Sequence, residues 1–199
     1  MNCIPGPARF LPASSLMKSL RGHFLIATTD LEDPNFRRSV VLLVQHNDEG
    51  ALGLIINRPT SAMVKEVWEK VSDEPCRRDA RLHVGGPCQG PLMVVHDRSG
   101  VGDDEFLPDL YFSTDPDALT RLLADEEGRA KFCIGFAGWA AGQLEGEIET
   151  GSWHSVKASS EQVFAVGLDL WKELTRKVVT KMLTRTLHLK HVPADPSLN

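Results

Sequence analysis

Residues 39–59 read SVVLLVQHNDEGALGLIINRP, and the fold is decided there. Ser39–His46 is dense in β-branched and aliphatic side chains with almost no polar interruption, the pattern of a strand buried on both faces. His46-Asn47-Asp48-Glu49-Gly50 is turn chemistry. Ala51–Asn57 is apolar again, so the two runs form a β-hairpin.

Upstream of the hairpin, Phe24–Ala27 is a short apolar run, followed by a turn at Asp33-Pro34-Asn35-Phe36 in which Pro34 drives Asp33 towards extended backbone. Downstream, Thr60 or Ser61 is expected to cap a helix whose apolar stripe is Val64, Val67, Trp68 and Val71. Arg81–Val84 and Leu92–His96 read as strands joined by GGPCQGP, residues 97–108 as an exposed loop, and Leu110–Ser113 as another strand. Asp115-Pro116 opens the best-marked helix: Asp115 at the N-cap, Pro116 at the first helical position, Leu119, Leu122 and Leu123 inward, and Gly128 past the end. Lys131–Phe136 reads as a strand, 138–151 as a glycine-rich turn into a short helix, Ser152–Lys157 as a strand, and Ser160 to about Met182 as helix. Hairpins mixed with helical crossovers place the chain in the α+β class. Residues 1–16 carry three prolines and no apolar period and read as an extension, 17–185 as one domain, and 186–199 as a tail.

Bulk composition agrees with a folded core. Of 199 residues, 42% are hydrophobic and 25% charged. With aromatics at 7%, each of the four tryptophans is expected to anchor packing. The net charge of −5 argues against a dedicated nucleic-acid binder. The charge is uneven, about −7 over residues 1–159 and about +2 beyond. Lys172, Arg176, Lys177, Lys181, Arg185 and Lys190 make the C-terminal stretch basic, so any direct DNA contact is expected there, weak and non-specific. Cys3, Cys76, Cys88 and Cys133 lack metal-ligand spacing and read as reduced structural thiols. No apolar run is long enough to span a bilayer and no signal peptide opens the chain, so a cytoplasmic location is expected. Nothing implies a cofactor or a metal.

Five segments together resemble a known family: GHFLIA (22–27), DPNFRRSVV (33–41), HNDEGALGLIINRP (46–59), GGP (85–87) and GFAGWAAGQLEGEI (135–148) with Trp153. The chain is similar over roughly Gly22–Trp171 to the AlgH/YqgE family of bacterial proteins. That resemblance implies an α+β fold with a bifurcated, partly barrel-like sheet surrounded by helices. Members carry the label of transcriptional regulator, which implies no particular chemistry. This sequence departs from the family pattern at Ala140-Ala141, at Cys88 and in the residues before Met17.

The candidate site residues come from these segments. Glycines flanking Trp139 permit close backbone approach, and the helix start that follows favours anions, with Gln143 and Glu145 adding polar contacts. The same features also suit a tight strand-to-helix turn with Trp139 as an anchor. Arg58, in Asn57-Arg58-Pro59, can clamp a carboxylate or phosphate, or equally pair with an acid inside the fold. Gly85-Gly86 can form a backbone anion nest or simply a turn. His46 can act as a base or cap the hairpin. No P-loop, Rossmann, G-x-S-x-G or H-E-x-x-H pattern is present. The expected function is a regulatory or binding protein presenting a polar, glycine-lined surface to a partner protein or small anion. The alternative is an enzyme using His46, Arg58 and Glu145 on a small anionic substrate.

Overall fold

The computed structural model describes residues 19–102, 104–166 and 169–186. In chain order the elements are β1 (His23–Ala27), β2 (Val40–Asn47), β3 (Gly50–Ile55), β4 (Pro59–Met63), α1 (Val64–Trp68), β5 (Arg81–Val84), β6 (Cys88–His96) and β7 (Asp104–Leu107). They continue with β8 (Leu110–Ser113), α2 (Pro116–Ala124), β9 (Ala130–Ala140), α3 (Gln143–Glu149), β10 (Trp153–Lys157), α4 (Ser160–Val163) and α5 (Leu170–Thr186).

The hairpin of β2 and β3 lies inside the sheet, flanked by β1 and β9. Both faces of β2 are covered, which explains its continuous apolar run. Val40, Leu42 and Val44 enter one core with α5 residues Leu170, Leu174 and Val178, and Val41 and Leu43 enter another with Trp139, Leu144 and Trp153. A third core packs α1 and α2 against β5, β6 and β9. Full burial of each such aliphatic side chain stabilises the fold by roughly 1.5–3 kcal/mol before entropy is counted.

The strands run β10-β1-β2-β3-β9-β6-β8-β7, with β4 and β5 on a branch from β9. The sheet is strongly curled into a half-barrel and is antiparallel except where β5 pairs with β9. One edge of β9 serves two partners in succession: Phe132–Ile134 pair with β5, and Ala137–Ala140 pair with β3. Gly135, at φ +74°, stands at the fork. It shifts the alternation there, so that Cys133 and Phe136 enter the same core while Ala137 and Trp139 turn to the opposite one. Gly85 and Gly86 cross this point. The Gly85 N–H donates to Ile134 O (2.8 Å) and its carbonyl accepts from Ile55 N–H (2.7 Å), bridging β9 to β3. A Cβ on either glycine would collide with the backbone of Gly135 or Phe136.

Several boundaries differ from the sequence expectations. Thr60 and Ser61 lie in β4 and cap nothing; Thr60 Oγ1 donates to Leu82 O (2.9 Å). The helix starts at Val64 and ends at Trp68, which leaves Val71 73% exposed and off the core. Residues 97–108 are no simple exposed loop: they contain β7 and bury Val101 and Phe106. β9 runs on through Gly138 and Trp139, so the turn is confined to Ala141-Gly142. The expected single helix from Ser160 is two, because Asp169 caps a fresh start by accepting from Lys172 N–H (3.1 Å). The α2 start and inner face hold, with the Asp115 carboxylate accepting from Ala118 N–H and the three leucines buried, but the helix ends at Ala124, with Asp125 in extended backbone, well before Gly128. Cys76, Cys88 and Cys133 are free thiols, whereas Cys3, residues 1–16 and residues 187–199 lie outside the described residues.

Candidate functional site

The motif around α3 closes on itself. Trp139 on β9 and Trp153 on β10 meet edge to face at 6.0 Å, and Phe36 packs against both. Buried indoles need acceptors. Both N–H groups find the same one, Glu147 Oε2, at 2.9 and 2.8 Å. Glu147 Oε1 accepts from the Gln143 amide (2.9 Å), and Gln143 Oε1 accepts from Ala140 N–H (3.0 Å). Sequence reasoning passed over Glu147. Its signal is the i, i+4 spacing from Gln143 beside two tryptophans in want of an acceptor.

His46 joins the same region. Its Nδ1 accepts from Leu20 N–H (2.8 Å), which puts the ring proton on Nε2, where it is donated to Glu145 Oε1 (2.7 Å). Both ring nitrogens are occupied in tying β2 to α3 and to the residues before β1.

Asn57 and Arg58 lie at the open end of the hairpin and face another segment. Asn57 accepts from Val40 N–H (2.8 Å) and donates to Arg38 O (2.9 Å). The Arg58 guanidinium donates to Asn35 O (2.6 Å) and Arg37 O (3.0 Å), and partial burial holds its pKa below the usual value. The NRP and DPNFRRS motifs thus hold each other. Arg58 bonds neither His46 nor Glu145 among the described residues. The eight candidates therefore fall in three places: His46, Trp139, Gln143 and Glu145 around α3, Asn57 and Arg58 at the loop, and Gly85 and Gly86 at the fork.

Beside the fork lies a cleft of about 520 Å³, between β4, β5, the start of β9 and the segment leading into α5. Asn57 lines it, with Asp79, Arg81, His83 and Lys131 against apolar walls that include Ile56, Ala80 and Leu170. Lys131 Nζ donates to Ile56 O (3.0 Å) and meets no carboxylate among the described residues; burial pushes its pKa down. His83 Nδ1 lies 3.2 Å from Arg81 O, and burial together with the Lys131 charge lowers its pKa to about 4, so it is neutral near pH 7. Cys133, on the same strand, has its thiol pKa pushed up to about 12 by burial, which leaves it inert. Chemically, the cleft offers an under-paired ammonium, a guanidinium and a neutral imidazole above apolar walls. Neither Lys131 nor His83 stands out in sequence, because the contacts that isolate Lys131 come from residues far along the chain.

Among the described residues no three His, Cys, Asp or Glu side chains gather as a metal-ligand set. No helix there is long and apolar enough to cross a membrane. Lys172, Arg176, Lys177 and Lys181 are exposed on α5, with Lys177 paired to Glu173; Lys190 lies outside the described residues.

Comparison with known proteins follows the motifs. The family described as AlgH-like matches residues 24–183. A UPF0301 protein of Chlorobaculum tepidum is 37% identical over 189 residues, 89% of this chain and 95% of its own. One from Myxococcus xanthus is 38% identical over 151 residues, covering 74% and 83% of the two chains. The solution structure of the Pseudomonas aeruginosa AlgH protein superposes with a TM-score of 0.65 at 31% identity, over 93% of this chain and all of that one. A Corynebacterium diphtheriae crystal structure does so at 0.63 and 25% identity, over 86% and 90%.

Proposed function

The chain belongs to the AlgH-like family, and from that premise we propose that it is a cytoplasmic binding protein whose cleft beside the sheet fork takes a small organic anion. The observation that carries this reading is Lys131. Its side chain is half-buried, burial lowers its pKa, and its ammonium has one carbonyl for company among the described residues. A buried cation without a counter-ion is costly, and an anion entering the cleft offsets that cost. Arg81 adds a second cation against the single acid Asp79, and the apolar walls suit an aliphatic or cyclic carboxylate. Occupancy of the cleft is then read by a partner protein, which links the molecule to regulation indirectly. Direct DNA contact through α5 is the weaker route for a chain of net charge −5.

The test is thermal melting of the full chain with straight-chain carboxylates from acetate to octanoate at constant ionic strength. A carboxylate at about 100 times its Kd should stabilise the fold by about 2.7 kcal/mol. Lys131→Met should abolish that gain while still folding. No gain with any of the series, or an undiminished gain in Lys131→Met, overturns the reading.

A further inference from the structure

We infer that a second anion site, suited to the phosphate of a small monoester, is built where residues 33–38 meet the start of α5. A cavity of about 340 Å³ there is lined by Thr28, Thr29, Arg37, Arg38 and Trp171. The loop that supplies the arginines is held rigidly from beneath. Arg58 binds the carbonyls of Asn35 and Arg37, and Asn57 binds the Arg38 carbonyl and the Val40 N–H. Two motifs are therefore spent on fixing the backbone from which two guanidinium groups project.

Arg38 adopts φ +58°, left-handed backbone that glycine or asparagine would occupy with less strain. A bulky residue kept in that conformation by its surroundings points to a use for its side chain. The Arg38 guanidinium lies 5.0 Å from the centre of the Trp171 ring, which is itself fixed by donation from Nε1 to Ala27 O (2.7 Å). Arg37 enters the hydrogen-bond network of the described residues through its backbone alone, so its guanidinium is uncommitted there. On the strand side, Thr28 lines the cavity, and its hydroxyl has no hydrogen-bond partner among the described residues. Two guanidinium forks beside the unpartnered Thr28 hydroxyl and a fixed aromatic ring supply more donors than one carboxylate uses, and they match a phosphate.

Acids at the rim limit the affinity. Asp169 stands 3.7 Å from Arg38, and the Thr29 hydroxyl turns to Asp30 (3.4 Å). A bound phosphate must compete with Asp169 for Arg38. Removing that charge should therefore tighten binding, and asparagine can still cap α5.

The experiment is calorimetric titration of the full chain with inorganic phosphate, glycerol phosphate and a nucleoside monophosphate at constant ionic strength. Saturable binding is expected for all three, tightest for the nucleotide if its base lies against Trp171. Arg37→Ala and Arg38→Gly should each weaken it at least tenfold. Arg38→Gly should melt no lower than the wild type, because glycine relieves the backbone. Asp169→Asn should tighten binding several-fold. Absence of saturable phosphate binding in both the wild type and Asp169→Asn overturns the inference. So does binding that survives both arginine variants, or that is lost in Lys131→Met instead, which would move the anion to the cleft beside the fork.

Discussion

The α3 corner and the segment around Lys131, Arg37 and Arg38 are both rich in polar side chains, yet they spend them differently. In the corner every polar group named finds a partner: two indoles and an amide on Glu147, a backbone N–H on Gln143, a carboxylate on His46. Around the fork and the base of α5, among the described residues, an ammonium has one carbonyl, a guanidinium is uncommitted, and the Thr28 hydroxyl is without a partner. Buried polar groups are normally satisfied within the fold, so a saturated cluster reads as architecture and an unsaturated one as a place reserved for something else. The most conspicuous motif in the sequence belongs to the first kind.

The sharpest way to break this contrast is at the hub. Glu147→Ala leaves two largely buried indole N–H groups and one amide without an acceptor. A loss of about 2–4 kcal/mol is expected, visible as a lower urea midpoint with unchanged slope. Glu147→Gln keeps one acceptor oxygen and should recover part of that. A loss below about 1 kcal/mol would show that the corner is not structurally saturated and reopen it as a binding site.

Acid pH probes the unsatisfied side. His96 is fully enclosed, its Nε2 has no partner among the described residues, and burial lowers its pKa to about 4, as it does for His83 beside Lys131. Each is a base whose folded pKa lies below its unfolded value of about 6.5. The unfolded chain therefore takes up protons first as the pH falls. Stability is full above about pH 6.5 and is lost progressively down to about pH 4, by on the order of 3 kcal/mol for His96. His96→Phe should flatten that limb in a stability-against-pH series. An identical limb in the variant would assign the acid loss to carboxylates.

What was legible in the sequence divides along physical lines. The hairpin at 39–57 and the helix at 116–124 announce themselves locally, through continuous burial in one case and through Asp115-Pro116 capping in the other. β7 did not, because its four residues bury only Phe106 and sit among acids and turn residues. β4 was hidden because Thr60 looks like a cap until its hydroxyl is seen bonded to Leu82 O. The break before α5 depends on Asp169 acting as a cap inside an otherwise helical pattern. Among the site residues, types and neighbourhoods were readable but partners were not. Arg58 could be foreseen as a clamp, though not that it clamps the backbone presenting Arg37 and Arg38.

Arg58→Ala sharpens the middle of the comparison. Arg58 is only partly buried and serves two exposed carbonyls that water can satisfy in its place. Its loss should cost about 1–2 kcal/mol. That is less than the roughly 3–5 kcal/mol of a broken buried ion pair. A cost in that larger range would place Arg58 with the saturated architecture of the α3 corner.

Lys131→Met is expected to have the smallest effect on stability, and its sign is the informative part. The substitution keeps a flexible side chain of similar length and removes a desolvated charge, at the cost of leaving the Ile56 carbonyl to water in the open cleft. The two terms nearly cancel, so the ligand-free protein should change by less than about 1 kcal/mol, towards greater stability if it changes at all. A second signature follows from the lowered pKa of Lys131. A lysine whose folded pKa lies below its unfolded value penalises the fold while charged, so wild-type stability should rise as alkaline pH passes from the folded to the unfolded pKa. Lys131→Met should lack that rise. Clear destabilisation at neutral pH would instead mean that the ammonium is already well paired inside the fold, and the cleft would join the α3 corner as finished architecture.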